Sequence, residues 1–231
     1  ENSVTRLEQF AECAFAHYMT YGLGLSQREL QEFAGVDMGN IYHDALWHFA
    51  ERIRRSSYTW YDLPEQTREA WIEESMNDAI AGCANVGAFD EAKNRYLLSR
   101  MKDTIRRTVW ALTIQVQKGR FTPSDFEVSF SQADHLEAIR FQLTEEEKMR
   151  LRGRIDRVDT CETDDKVYVK IIDYKTGNTT FDLVSIYYGL QMQLVVYMDA
   201  AVKAEQRKYP DAEVKPAGIF YYNVKDPMLQ K

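Results

Sequence analysis

Two apolar segments in the second half of the chain carry acidic residues at positions where a buried strand usually has aliphatic ones. One segment, GRIDRVD (153–159), contains Asp156, and the other, IIDYKTG (171–177), contains Asp173 and Lys175. A tight turn centred on residues 164–165 would join them as a β-hairpin. In the register that this turn sets, Asp156 and Asp173 lie opposite each other on one face of the sheet, with Cβ atoms about 5 Å apart.

Strand alternation places Lys175 on the same face as Asp173, so this face is predicted to hold two carboxylates and an amine. Two close carboxylates repel each other and are poorly solvated in a half-buried sheet. A divalent cation such as Mg²⁺ removes both problems, because it binds hard oxygen ligands. The pattern predicts metal-assisted phosphodiester hydrolysis, with Lys175 orienting water or neutralising a phosphate. For Asp-x-Lys alone a surface ion pair is the alternative, and a β-bulge at the unfavoured Asp-Asp turn would break the register.

The elements that must position these groups follow from the hydrophobic pattern. Helices are predicted from Ser3, as N-cap, to about residue 22, over 38–55, after Pro64, over 91–118 and over 183–208, and strands over 126–132, 138–144 and 218–224. We therefore predict an α+β fold in one domain (1–231), with a mainly helical part (1–118) before a mixed sheet and catalytic core (119–231). Asp159 has the opposite strand parity from Asp156 and is predicted to be a solvent-facing or ion-paired residue.

Composition narrows the class of protein. The net charge of −7 argues against binding nucleic acid by bulk attraction, although arginines and lysines cluster at 52–55, 95–107 and 118–120. These clusters are either solvated helix faces or a locally basic channel. No apolar run is long enough to span a bilayer, no export signal is present, and the three cysteines lie far apart. We expect a cytoplasmic protein that does not enter a membrane.

Taken together, the motifs resemble a known family. GRIDRVD, IIDYKTG and GLQMQLVVYMDAA (189–201) are similar to PD-(D/E)xK nucleases of the RecB type. RLEQFAECAFAHYMTYGLGL (6–25) and AGIFYYNVKDP (217–227) look most like the C-terminal nuclease domain of AddB-type helicase-nuclease subunits. The resemblance implies an α/β/α restriction-endonuclease-like core that hydrolyses single-stranded DNA with Mg²⁺ or Mn²⁺, beside an AddA-type helicase-nuclease subunit, in double-strand break repair and recombination.

The resemblance also implies a role for several residues. Asp156 and Asp173 would bind the metal, Lys175 would be the catalytic lysine, and His43 in GNIYHDAL would add a further metal ligand. From the residues alone, His43 is more often an ordinary helix histidine. Gln193 and Tyr197 match the family's Gln-x-x-x-Tyr element, which lines the site and helps to hold DNA, and they share a helix face. Gln191 is the alternative glutamine if the alignment slips by two residues.

In the family an iron–sulfur cluster is held by four cysteines, and Cys13 matches the first of them. The other three would follow Lys231, and neither Cys83 nor Cys161 has the required spacing. We therefore expect a fragment of a longer protein in which the 4Fe-4S cluster is incomplete. Two alternatives to the nuclease are a silent nuclease-like module that binds DNA or a partner, and another enzyme of the superfamily, such as a stand-alone or CRISPR-associated exonuclease.

Overall fold

The computed structural model describes residues 2–26, 35–83, 92–130, 139–142, 148–177 and 179–224. Within these ranges the helices are α1 (Val4–Glu12), α2 (Ala14–His17), a π-helical turn (Tyr18–Gly22), α3 (Gly35–Arg55), α4 (Glu65–Ala81), α5 (Ala92–Lys118), α6 (Leu183–Tyr187) and α7 (Gln193–Lys208). The strands are β1 (Asn2–Ser3), β2 (Thr122–Phe130), β3 (Ile139–Gln142), β4 (Lys148–Glu162), β5 (Lys166–Lys175) and β6 (Glu213–Asn223). The predicted α+β architecture, helical first and then a mixed sheet, is confirmed.

The chain divides into two compact units. One comprises residues 1–29, 123–173 and 180–221, and the other comprises 30–122, 174–179 and 222–231. The first, called here the sheet unit, holds most of the strands together with α1, α2, α6 and α7. The second, called the helical unit, holds α3, α4 and α5. A single domain over 1–231 stays a prediction.

The sheet is built around β4, the longest described strand. Its first half pairs antiparallel with β3 and parallel with β1, which contacts Leu151 and Arg152. Its second half pairs antiparallel with β5, which is followed in the sheet by β6, and β2 also pairs with β4. A strand of 15 residues can serve several partners in this way because it exposes hydrogen-bonding groups on both edges. The residues of GRIDRVD therefore lie at the centre of the sheet.

The core of the sheet unit lies between the sheet and α7. Alternate residues of the hairpin supply one wall, and the apolar stripe of α7 supplies the other, as strand and helix periodicities require. The fully buried members include Val158, Val169, Ile171, Leu194 and Ala201. This packing orients the hairpin, since one face of it must turn toward α7.

The helical unit confirms the predicted stripe of α3. Tyr42, Leu46, Phe49 and Ile53 recur at helical spacing and are all buried. Helix α4 begins directly after Pro64, whose fixed φ suits a helix start. Helix α3 packs against both α4 and α5 within this unit. The part of the helix prediction at residue 91 lies outside the described residues.

Several arginines and lysines of the predicted basic clusters are ion-paired within the helical unit. Arg52 bonds to Glu74 and to Asp78, with Nη2 2.7 Å from Asp78 Oδ2. Arg106 likewise contacts Glu69 and an aspartate one turn away. At these positions the clusters are therefore helix faces whose charge is largely balanced by neighbouring acids.

Two of the helix predictions are wrong in detail. The first predicted helix begins at Ser3, whose side chain accepts from the N–H of Arg6 at 3.2 Å, but it breaks at Cys13, where the backbone is extended. The predicted helix over 183–208 is two helices, and Gly189, with φ +76°, ends the first of them. A glycine in the left-handed region is a common helix stop. Strand predictions at 131, 132, 138, 143 and 144 fall outside the described residues.

Within the described part of the chain, none of the helices combines the length and the apolar character that crossing a membrane requires.

Candidate active site

The hairpin has the register predicted from its turn. The N–H of Thr163 donates to the carbonyl of Lys166 at 2.8 Å, so residues 164 and 165 form the turn. Paired positions then run from Glu162 opposite Val167 to Arg157 opposite Ile172. The next position beyond this last pair is Asp156 on β4 and Asp173 on β5. Both side chains are buried, with exposures of 7% and 3%.

Tyr197 of α7 closes over the glycine that opens GRIDRVD. A Cβ atom at Gly153 would lie 2.7 Å from Tyr197 Cε1 and 2.6 Å from Phe130 Cζ, so only glycine lets the two rings approach the strand. The rings of Phe130 and Tyr197 pack edge to face with centroids 5.4 Å apart. Gly153 therefore sets how closely α7 approaches β4, three residues before Asp156.

Gln193 and Tyr197 contact each other on α7. The Gln193 amide Nε2 donates to the Tyr197 hydroxyl at 3.2 Å, as the i, i+4 spacing predicts. Gln191 points elsewhere, because its side chain bonds to the carbonyl of Thr180 and to the N–H of Asp182, each at 3.1 Å. Of the two candidate glutamines, Gln193 is thus the one that contacts Tyr197.

The charges of the aspartates contribute to raised pKa values of two tyrosines. Burial raises the pKa of Tyr197, the hydrogen bond from Gln193 opposes the rise, and the charges of Asp173 and Asp156 add to it. Burial, followed by the charges of Asp173 and Glu8, raises the pKa of Tyr221 on β6 to about 12. Both phenols therefore stay protonated at neutral pH and can donate hydrogen bonds.

Lys175 and His43 belong to the helical unit. Strand β5 extends through Lys175, as predicted, and the Lys175 carbonyl accepts from the N–H of Val224 at 2.8 Å. His43 of α3 is half-buried, and its Nε2 lies 2.9 Å from the carbonyl oxygen of Tyr174. A carbonyl can only accept, so Nε2 is the donor nitrogen of this contact. His43 is thereby fixed to the residue that precedes Lys175.

Glu127 of β2 is a further acid that sequence reasoning missed. A carboxylate oxygen of Glu127 lies within 4.8 Å of one of Asp156, and Arg154 Nε lies 2.6 Å from Glu127 Oε2. The Glu127 side chain is only 12% exposed, and its backbone has φ 52°, in the left-handed region that costs a non-glycine residue roughly 1–2 kcal/mol. The sequence pattern that could have identified it is FEVSF, in which an acid interrupts an alternating apolar segment.

Asp159 corrects one of the two alternatives predicted for it. It is fully buried and not solvent-facing. Arg157 donates to both of its oxygens, at 2.5 and 2.9 Å, and Lys170 Nζ lies 2.7 Å from Oδ2. The ring of Phe126 covers the Arg157 guanidinium at 5.8 Å. The ion-pair alternative is therefore the right one, because a buried carboxylate needs cations beside it.

Cys13 has a capping role that the sequence did not suggest. Its thiol is exposed and is not in a disulfide. The residue lies between α1 and α2, where the helix breaks. The Sγ atom accepts from the N–H of Ala16 at 3.4 Å, in the place that a serine hydroxyl would take at a helix start. Cys83 and Cys161, like Cys13, are not in disulfides. The cluster-ligand role of Cys13 stays a prediction.

The fold is a mixed sheet whose central hairpin carries two buried aspartates. The chain belongs to the PD-(D/E)XK nuclease superfamily, since the model of that family matches residues 1–231. This confirms the family and the fold that the motifs predicted.

The chain is also similar to several B-type subunits of ATP-dependent helicase/deoxyribonucleases. It is 42% identical to that of Lachnoclostridium phytofermentans over 229 residues, which is 99% of this chain and 19% of the relative. It is 37% identical to that of Alkaliphilus oremlandii over 230 residues, and 34% identical to that of Clostridium tetani over 227 residues; these cover 100% and 98% of this chain and 20% of each relative. The chain thus spans about a fifth of the length of these curated relatives, and the predicted AddB-type resemblance is confirmed.

Proposed function

We propose that this chain is a metal-dependent deoxyribonuclease domain that hydrolyses phosphodiester bonds of single-stranded DNA. The observation that carries the proposal is the hairpin register, which brings Asp156 and Asp173 to matching buried positions two residues before Lys175 in β5. Membership of a nuclease superfamily supports the same chemistry. The names of the relatives, which pair a helicase with a deoxyribonuclease, support DNA as the substrate.

The donor set fits a hard divalent cation. Two buried carboxylates on matching strand positions, with Glu127 within reach of Asp156, offer the oxygen ligands that Mg²⁺ and Mn²⁺ prefer. We propose Asp156, Asp173 and Glu127 as ligands. His43 is proposed as a further ligand through Nδ1, because metal-ligating histidines usually donate their other ring N–H to a carbonyl or carboxylate.

The bound cation would act as a Lewis acid toward phosphoryl oxygen and lower the pKa of water. The protein residues do the remaining work. The Lys175 ammonium places a positive charge where negative charge develops on the phosphate, or orients the attacking water. Gln193 and Tyr197 hold the DNA strand, with the protonated Tyr197 hydroxyl as a hydrogen-bond donor. The reaction is a one-step hydrolysis without a covalent enzyme intermediate.

We further propose the setting of this activity. The chain would act as the nuclease domain of an AddB-type subunit, beside an AddA-type helicase-nuclease subunit, in double-strand break repair in the cytoplasm. Cys13 would be one ligand of a 4Fe-4S cluster whose other ligands lie elsewhere in the longer protein. The similarity of nearly the whole chain to a fifth of each relative supports a domain within such a subunit.

The experiment that tests the nuclease is cleavage of an end-labelled single-stranded DNA by the purified chain, with Mg²⁺, with Mn²⁺ and with EDTA. We expect cleavage with either metal, none with EDTA, and a loss of about 10²–10³-fold in kcat with Lys175→Ala. Lys166→Ala is the matched control, since Lys166 begins the same strand and pairs with Asp165 in the turn. Cleavage that survives EDTA or Lys175→Ala would refute the proposed chemistry.

The same assay distinguishes the alternative of a silent module. If the wild-type chain is such a module, it should bind the labelled strand as tightly as the Lys175→Ala variant does. It should also fail to cut the strand at every metal concentration. A double-stranded substrate of the same sequence, run in parallel, tests the preference for single strands. Equal cleavage of both substrates would contradict that part of the proposal.

A further inference from the structure

The N-terminus of α7 is capped from the other end of the sequence. The residue before the helix, Met192, makes no capping bond with its own side chain. Instead Glu8 Oε1 accepts from the N–H of Met192 at 2.6 Å and from the N–H of Gln193 at 2.9 Å. A helix leaves its first N–H groups without intrahelical partners, so this carboxylate satisfies two donors at once.

The cap is also electrostatically favourable. A carboxylate at a helix N-terminus interacts with the positive end of the helix dipole, and bonds between a carboxylate and N–H groups are stronger than neutral ones. Glu8 is half-buried on α1, which restricts its side chain to a small set of rotamers. Helices α1 and α7 also pack against each other directly. The contact therefore holds the first turn of α7 at a fixed place against α1.

The first turn of α7 carries Gln193, which the proposed reaction uses to hold DNA. Gln193 is the first residue of α7, and its side chain bonds to the hydroxyl of Tyr197 one turn later. Glu8 thus bonds to the backbone of Gln193, and Gln193 bonds to Tyr197.

We propose that Glu8 is a positioning residue of the active site, which clamps the first turn of α7 and so fixes Gln193 and Tyr197 for the DNA strand. The inference rests on the proposed function. It makes α1 a structural part of the catalytic site, although α1 lies far from the hairpin in the sequence. A misplacement of about 1 Å in groups that position a substrate can lower the rate roughly 10²-fold. Loss of the Glu8 contact should therefore lower the rate of DNA cleavage.

The test uses Glu8→Ala, the conservative Glu8→Gln, and Glu12→Ala as matched control. Glu12 lies one turn further along, as the last residue of α1, and its side chain is exposed. We expect kcat/KM for single-stranded DNA to fall about 10²-fold in Glu8→Ala. It should fall less in Glu8→Gln, which keeps an acceptor oxygen, and stay unchanged in Glu12→Ala. Melting temperatures measured in parallel identify any general loss of folding.

Two readouts separate positioning from mere stability. Amide hydrogen exchange of residues 192–194 should speed up in Glu8→Ala and not in Glu12→Ala. In a Gln193→Ala background, Glu8→Ala should cost far less in kcat/KM than in the wild type, because both changes disable the same unit. Unchanged exchange overturns the clamp. Losses that multiply fully in the double variant overturn the positioning role.

The failure of this inference can be told from the failure of the proposed function. A wild-type chain that cuts DNA, with a Glu8→Ala variant that cuts it equally well, overturns the inference alone. A wild-type chain whose residues 192–194 are protected by Glu8 but which cuts no DNA with any metal overturns the nuclease, and the positioning role with it.

Discussion

The two faces of the β4–β5 hairpin both bury acidic side chains, but they differ in what stands opposite each acid. On one face, Asp159 lies opposite Lys170 and accepts two hydrogen bonds from Arg157. On the other face, the cross-strand counterpart of Asp156 is a second acid, Asp173. The first face places two cations beside its acid, and the second face carries two acids at matching positions of neighbouring strands.

This difference distinguishes a structural acid from acids that are candidates for metal binding. Each buried carboxylate carries a desolvation cost, and a close cation offsets it. Arg157 and Lys170 offset it for Asp159, so that charge is part of the architecture of the sheet. At Asp156 and Asp173 the two facing residues are both acids, which makes that face the better candidate for metal binding.

The largest effect is expected on the face with the two acids. Asp173→Asn removes one charged ligand but keeps the shape of the side chain, so metal-dependent cleavage should fall by at least about 10³-fold. The thermal midpoint without metal should stay the same or rise, because a like-charge repulsion is lost. Cleavage rates and melting curves check both statements. Cleavage within tenfold of wild type would make Asp173 an ordinary buried acid.

The opposite pattern is expected on the other face. Arg157→Met leaves Asp159 with Lys170 as its main cation, and breaking such a buried network costs about 3–5 kcal/mol in the free energy of unfolding. Urea denaturation measures this loss. Lys203→Met is the control, since its pair with Asp199 is exposed and worth about 0.3–0.5 kcal/mol. Under conditions where the Arg157 variant is folded, it should cut DNA at the wild-type rate. A lower kcat in the folded variant would contradict the proposed difference between the two faces.

A variant of Glu127 tests how far the proposed metal-binding face extends. Glu127→Gln keeps the volume and removes the charge beside Asp156, so affinity for Mn²⁺ should fall about 10–100-fold by calorimetry. Glu213→Gln is the matched control, because Glu213 is a strand glutamate with a basic partner, Lys215, on an exposed surface. Equal Mn²⁺ affinity in the two variants would exclude Glu127 from the metal site.

The smallest effect is expected at a further buried acid, Glu205 of α7. Burial raises its pKa, against the opposing hydrogen bond from Lys208. A folded-state pKa above the ordinary value of 4.5 means that folding favours the protonated form, so this contribution to stability is complete below pH 4.5 and is lost as pH rises through the folded-state pKa. Glu205→Gln, which cannot ionise, should then raise the free energy of unfolding at pH 7 by about 0.5–2 kcal/mol.

The pH dependence is the check on this last prediction. The gain from Glu205→Gln should shrink toward pH 4, where Glu205 of the wild type is itself protonated. Denaturation curves at the two pH values measure the difference. A gain that is equal at both values would mean that burial of the charge is not its cause.

Much of the hairpin was predictable because it is local. Its turn lies only a few residues from either strand, so the register followed from counting outward from 164–165, and Ser3 and Pro64 marked helix starts by their own chemistry. The break at Cys13 was not predictable in this way, since the helical pattern of apolar residues continues through it. Neither was Glu127, because the approach of β2 to Asp156 depends on pairing between strands far apart in the chain.

The sequence by itself determined the family, the α+β order of elements and the hairpin that holds Asp156 and Asp173, because motifs, periodicity and turns act over a few residues. Only the tertiary structure decided that Asp159 is fully buried between two cations, that Gln193 and not Gln191 bonds to Tyr197, and that Glu8 caps α7. The physical reason is the same in each case. A buried polar group must find a partner, and which partner comes within hydrogen-bonding distance is settled by packing between segments that can lie more than 180 residues apart.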